Sequence, residues 1–262
     1  MVRTEFIMRG MKMNKFKLVD EYMFSRLGLQ SINKNLTIVE TEKRHTCEIS
    51  YGYINMIWIV KFIDNSVVAS VPLNLSEPIK SFLYDNIDKY DITDSLFITP
   101  LKELADKEAK KLFDKSLCRC FNSLIFACNN ESIAPISQNV KTVRITDKRF
   151  ECHDDIHFPE HCLPDGIIYG VIENNKIVSL AHAHKTGKYQ DIVADIGVDT
   201  SKDYRRKGYA RECVNSVARY VIDKGGESVY ICSPDNIASI HTAMSAGYEP
   251  YGKTLTFAVN LE

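Results

Sequence analysis

The 262-residue sequence is short of several things, and each shortage excludes a class of protein. Its 12 Gly and 8 Pro are too few for a collagen-like or low-complexity chain. Its 8 Cys include no Cys-x-x-Cys pair, the closest spacing being Cys118-x-Cys120, which points to reduced, partly buried thiols in a cytoplasmic protein. The longest uncharged runs, such as Ile49 to Val60, are about a dozen residues, short of the roughly 20 needed to span a bilayer. No apolar core of a secretory signal precedes residue 20. Met1, Met8, Met11 and Met13 crowd that stretch and leave the initiator open. Charge of one sign is missing too. Lys and Arg total 33 against 34 Asp and Glu, a net charge of -1. Cut near residue 140, the chain has 18 basic and 17 acidic residues before the cut, and 15 and 17 after it. Neither half has the excess with which a protein grips many phosphates, so neither a nucleic acid nor a membrane is expected as partner.

What remains is a packed globule, 45% apolar, 26% charged and 10% aromatic, with room for one large domain or two modest ones. The polar stretch Asn129 to Asn139 reads as a linker. It divides the chain into an N-terminal α+β domain of unknown role, residues 1–138, and a second domain, 139–262. In the first, Met56 to Ile63 and Val67 to Leu73 flank the turn-like Asp64-Asn65-Ser66 and predict a hairpin. Helical spacing follows at 76–89, 101–113 and 115–127. Tyr51, Tyr53 and Trp58 read as core, and the run from Lys107 to Lys111 as a solvated helix face.

The second part predicts a strand at Val140 to Ile145 and a hairpin, 167–172 and 176–184, around Asn174-Asn175. It then predicts a strand at Ile192 to Val198, a helix from Gly208 to Lys224, a strand at Ser228 to Cys232, a helix from Asn236 to Ala246 and a last strand at Thr254 to Val259. Strands alternating with helices imply an α/β or α+β architecture. Between the strand Ile192–Val198 and its helix lies Arg205-Arg206-Lys207-Gly208-Tyr209-Ala210. Three cations at a helix N-terminus oppose the macrodipole, at a few tenths of a kcal/mol each when exposed. A bound anion removes the conflict, because first-turn N–H groups point outward and small residues leave them uncovered. A solvated basic patch on an ordinary loop is the alternative.

In its context this segment resembles the GNAT superfamily of acyl-CoA-dependent N-acyltransferases. Arg205-x-x-Gly208-x-Ala210 fits that family's pyrophosphate-binding pattern, after a central strand and opening a helix. The second match is Asn236 with Gly247-Tyr248 eleven and twelve residues later. The resemblance covers about 143–262 and implies a mixed central sheet flanked by helices, acetyl-CoA as cofactor, and transfer to a primary amine, expected on a small molecule. The backbone of Ile196 and Val198 would pair with the pantetheine arm, and the Val198 N–H would stabilise the oxyanion. Amides from Arg206 to Ala210, with the charges of Arg205, Arg206 and Lys207, would hold the pyrophosphate. Asn236 would bind the pantetheine amide, with Ser239 one turn along. Asp195, or Asp191 at the strand's start, is the nearest carboxylate for a base, unless it pairs with a neighbouring cation. An N-terminal domain ahead of a short acetyltransferase domain looks like bacterial acetyltransferases of unassigned substrate.

Three departures qualify the match. The loop from Val198 to Arg205 is about two residues longer than the family pattern. Ala243 stands where many members have a Tyr as acid for the thiolate; Tyr248, Ser239, His241 or water are the substitutes. Only about twenty residues separate the first strand from Ile167, so the helices that wall the acceptor site look truncated. Ala243 also leaves open a non-catalytic acyl-CoA-binding module for sensing or assembly. The clusters Cys152-His153-Asp154-Asp155-x-His157 and His161-Cys162 match no zinc spacing and read as loop residues bordering the acceptor pocket. His182 and His184 project from one strand face, towards the acceptor or as ordinary sheet residues.

Overall fold

A computed structural model describes residues 15–29, 35–45, 53–73, 75–114, 119–163, 166–184 and 186–260. Tyr51 and the clustered methionines lie outside the described residues. The chain divides into two compact units, residues 1–120 with 255–262, and residues 121–254.

In the first unit, helix α1 (Lys17–Leu27) precedes strands β1 (Leu36–Glu40), β2 (Tyr53–Phe62) and β3 (Val67–Val71), in the order β1-β3-β2. The β2–β3 hairpin is antiparallel, Trp58 facing Ser70, and turns through Asn65 at φ 65°. The Asp64 carboxylate accepts from the Ser66 N–H at 2.9 Å and closes that turn. Helices α2 (Ser76–Asn86) and α3 (Ser95–Phe113) bury Ile79, Leu83, Phe97 and Leu101 against Ile57, Ile59, Val67 and Ala69.

The second unit supplies the remaining elements. They are β4 (Arg119–Cys128), β5 (Val143–Arg144), β6 (Glu151–Cys152), β7 (Ile168–Glu173), β8 (Lys176–His184), β9 (Val193–Thr200), α4 (Tyr209–Ile222), β10 (Glu227–Cys232), α5 (Ile237–Ser245) and β11 (Glu249–Asn260). Two of these strands, β4 and β11, are divided between the units at 120/121 and 254/255. The strand order is β11-β4-β10-β9-β8-β7-β5, with β6 on β8. The sheet is mixed, since β9 and β10 are parallel while β8 runs antiparallel to β9 and β4 to β10. Helix α4 packs Cys213, Val214, Val217 and Val221 on one face of this sheet, against Ala181, Ala183, Ala194 and Ile196. Ile145, Ile156, Cys162, Ile168, Ile177 and Leu180 form a smaller core elsewhere in the unit.

Two expectations are corrected. Helical spacing at 115–127 gives way to β4, with 115–118 outside the described residues. Residues 125–128 are all buried and pair with Ser228–Ile231, so this is a central strand covered on both sides. Such a strand is a continuous apolar run that periodicity cannot tell from a helix. The strand at 140–145 shrinks to Val143–Arg144, opposite Gly170 and Tyr169.

Residues 129–139 are tied down rather than loose. The Ala134 carbonyl accepts from Asn215 Nδ2 and Arg219 Nη2, the Pro135 carbonyl from Arg211 Nη2, and the Ser137 N–H donates to Glu212 Oε2. The strap therefore runs along α4. Strand β8 contains one irregularity. Val171 faces Ser179 but Ile172 faces Ile177, so Val178 is the extra residue of a bulge.

Candidate active site

The site is built where two parallel strands part. The β9–β10 register ends at Ile196↔Tyr230. Beyond it β9 stays on β8, with Val198 opposite Ala181, while β10 stays on β4, with Ile231 opposite Ile125. The Ser201 N–H donates to the Val178 carbonyl on β8, so alternation turns the N–H of Val198, like that of Ile196, towards β10. At Val198 the β10 partner has gone. The gap thus has a backbone donor on its edge, at the carboxyl ends of two parallel strands, where α/β sheets bind ligands.

At the same end of the sheet, α4 begins. Gly208 is its N-cap at φ 79°, without a side-chain cap, and Arg206 is left-handed at φ 63°. The first helical bond is Glu212 N–H to Gly208 O at 3.2 Å, so the N–H groups just before it precede the ladder. A Cβ built on Gly208 meets nothing within 4 Å, so the space in front of the loop is open. Arg205, Arg206, Lys207 and Gly208 are exposed; Tyr209 and Ala210 are half-buried. Arg205 Nε donates to the Thr200 carbonyl and braces its own loop at 3.1 Å. Lys207 Nζ lies 4.7 Å from the Tyr204 ring centroid and 5.9 Å from that of Tyr209. Tyr209 donates its hydroxyl to Glu173 Oε1 at 2.7 Å, and that bond, then burial, pushes its phenol pKa up. An open, cation-rich helix start with free-standing first-turn amides fits a diphosphate.

The loop before this helix start is held from a distance in sequence. Asp155 Oδ2 accepts from the Lys202 N–H at 2.9 Å, and Asp155 Oδ1 pairs with His153 Nδ1 at 2.8 Å. Ser201 Oγ lies 3.1 Å from the same His153 nitrogen, and the His153 ring meets Tyr204 edge to face at 5.7 Å. The Lys202 N–H, then a hydrogen bond from Ser201, holds the Asp155 carboxyl well below the usual carboxylate range. The loop of extra length is thus clamped by 153–155. Nothing in the sequence signals this, because the partners are almost fifty residues apart. Among the described residues no group of three His, Cys, Asp or Glu could hold a metal ion.

The second helix start is at Asn236, whose Oδ1 accepts from the Ser239 N–H at 3.1 Å and caps α5. Ser239 Oγ accepts in turn from the Tyr230 hydroxyl at 3.2 Å. Ala243 is fully buried in the α4 core, which leaves no room for a large side chain at that position. Of the substitutes, His241 is exposed. Tyr248 is buried with its hydroxyl 2.5 Å from Ser228 Oγ, and burial pushes its pKa well above the ordinary value. It is a weak acid pointing at a sheet residue. Asp195, only 3% exposed, faces away from the α4 core and stands opposite His184 on β8. Asp191, by contrast, is exposed at the start of the strand.

Residues 131–248 match the Acetyltransferase (GNAT) family. No curated protein matches. Similar solved structures include a GNAT-family acetyltransferase from Novosphingobium aromaticivorans, at 16% identity and TM-score 0.44 over 54% of this chain and 66% of that one. Another, from Colwellia psychrerythraea, is 13% identical with TM-score 0.44 over 72% of this chain and 75% of that one. A tandem GNAT protein of clavulanic acid biosynthesis is 10% identical, with TM-score 0.39 over 66% and 60%.

Proposed function

We propose, from the match of residues 131–248 to the Acetyltransferase (GNAT) family, that the protein transfers the acetyl group of acetyl-CoA to a primary amine on a small molecule. The observation that carries this reading is the parting of β9 from β10 after Ile196 and Tyr230, with the Val198 N–H on the edge of the gap.

In this reading the amides from Arg206 to Ala210 hold the diphosphate, with Arg205, Arg206 and Lys207 adding charge. Ile196 and Val198 pair through their backbone with the pantetheine arm, which Asn236 and Ser239 approach from α5. The thioester supplies an acyl carbon activated for direct attack within a ternary complex. Val198 donates its N–H to the carbonyl oxygen as negative charge gathers there, an interaction worth about 10²–10³ in rate. Asp195, three residues before Val198 on β9, draws the amine in. The chain segment that joins β5 to β7 contains no α-helix among the described residues and carries the clamp at His153 and Asp155. The domain arrangement is read as an N-terminal unit of unknown role ahead of the catalytic one. No helix among the described residues is long and apolar enough to cross a membrane; the cysteine spacing of the sequence supports reading the protein as cytoplasmic.

Calorimetry with CoA, followed by thiol release from acetyl-CoA across an amine panel, tests the proposal. Arg206→Glu with Lys207→Glu should weaken CoA binding at least tenfold. Unchanged affinity would remove the diphosphate assignment. Buried Ala243 favours one second reading, an acyl-CoA sensor. CoA binding without turnover on any amine is its signature.

A further inference from the structure

Two titratable side chains on the sheet face of Asp195 have no part in the CoA site just proposed. His182 and His184 stand on β8 directly opposite Gly197 and Asp195, and cross-strand partners share a face. Their neighbours Ala181 and Ala183 pack into the α4 core, so the imidazoles lie on the other side of the sheet. The two rings meet edge to face with centroids 4.7 Å apart. Both rest on Gly197. A Cβ there would stand 2.8 Å from His182 Nε2 and 3.1 Å from His184 Nε2, so only glycine leaves room for the pair. Gly197 is the residue before Val198. With ordinary backbone dimensions, His182 Nε2 is therefore within about 6 Å of the Val198 nitrogen. A carbonyl oxygen held by that N–H would place its carbon, and an amine attacking it, beside the imidazole.

Resting on the acyl-transfer function proposed for this site, we propose that His182 is the group that accepts the amine's proton, that His184 orients it, and that the acceptor enters on the face carrying His182, His184 and Asp195. The acceptor class this surface suits is an alkylamine that arrives as an ammonium ion, attracted by the Asp195 carboxylate. The ammonium gives one proton to His182 Nε2, and the imidazolium passes it to solvent through this polar cluster. The neutral nitrogen then bonds to the acyl carbon, and its second proton passes through water to the sulfur. The carbon–sulfur bond breaks as the sulfur keeps the electron pair and takes up that proton. The products are an N-alkylacetamide and CoA.

The test compares His182→Gln, His184→Gln and wild type with acetyl-CoA and two probe sets, primary alkylamines and arylamines. Alkylamines are charged at neutral pH and arylamines are not, so only the first need a base. Turnover of alkylamines should fall about 100-fold in His182→Gln, arylamine turnover should change little, and CoA affinity by calorimetry should stay the same. Gly197→Ala, which displaces both rings, should reproduce this split. Equal losses for both amine classes would mark a merely structural role and overturn the proposal, as would alkylamine turnover within twofold of wild type. A readout without acceptor is the His182 imidazole nitrogen resonance, expected to differ between the CoA and acetyl-CoA complexes; identical resonances also count against it. Absence of CoA binding by the wild type would instead overturn the acyl-transfer function itself, and this assignment with it.

Discussion

Gly247 lies under the backbone of Ser132: a side-chain carbon at 247 would stand 2.2 Å from the Ser132 carbonyl oxygen and 2.5 Å from the Ala134 nitrogen. With its φ of 94° this makes the position doubly restricted to glycine. The strap at 129–139 crosses there, and the Ala134 N–H donates to the Ala246 carbonyl at 3.0 Å. Gly247→Ala is expected to cost about 2 kcal/mol or more. A thermal melt should show the loss, and an unchanged midpoint would mean that the strap does not pack on this turn.

Gly208→Ala separates strain from occlusion. The new Cβ meets no protein atom, but φ is 79°. Stability should fall by only about 1 kcal/mol, whereas the methyl group stands in front of the first-turn amides. CoA affinity measured by calorimetry should drop tenfold or more.

Asp155→Ala removes the acceptor that holds the Lys202 N–H. CoA affinity should weaken about tenfold, while a pantetheine thioester without the diphosphate should bind as before. Asp155→Asn keeps an acceptor oxygen and should lose less. Because the folded carboxyl titrates below its unfolded value, its contribution is complete above about pH 4 and disappears only as the pH falls through the depressed value. Titrating CoA between pH 5 and 8 should therefore reveal no transition from this group.

Two buried phenols predict alkaline sensitivity. Burial pushes Tyr230 up to about 12 and Tyr248 well above the usual value. The folded state keeps protons that the unfolded chain releases from about pH 10, so stability is complete below that pH and falls as it rises further. Urea unfolding at pH 8 and 11 should show this, and Tyr248→Phe should flatten the fall. Its cost at pH 8 should be about 1 kcal/mol, for the lost hydrogen bond with Ser228.

Local chemistry made much of the second unit legible. Asn174 and Asn175 both adopt positive φ, 49° and 62°, as a two-residue hairpin turn demands. The apolar period of 210–221 matches the buried face of α4. Arg205 to Ala210 likewise do open a helix, with Gly208 at its cap. What escaped the sequence depends on partners distant along the chain. The strand at 121–128 is set by pairing with β10, and the strap by side chains of α4 some eighty residues later. The histidines over Gly197 required knowing which residue faces which across β8 and β9. Alternation alone shows that His182 and His184 share a side, but not which side.

That side is decided at Val178. Val178 lies in the α4 core, and strict alternation from it would send Leu180, His182 and His184 into the same core. Leu180 instead belongs to the smaller core with Ile168 and Ile177, because the supernumerary residue reverses the phase of the strand. The chemical identity of each sheet surface is thus governed by a miscount between two strands. In a strand with the same residues and no bulge, Val178 and the two histidines would share one surface.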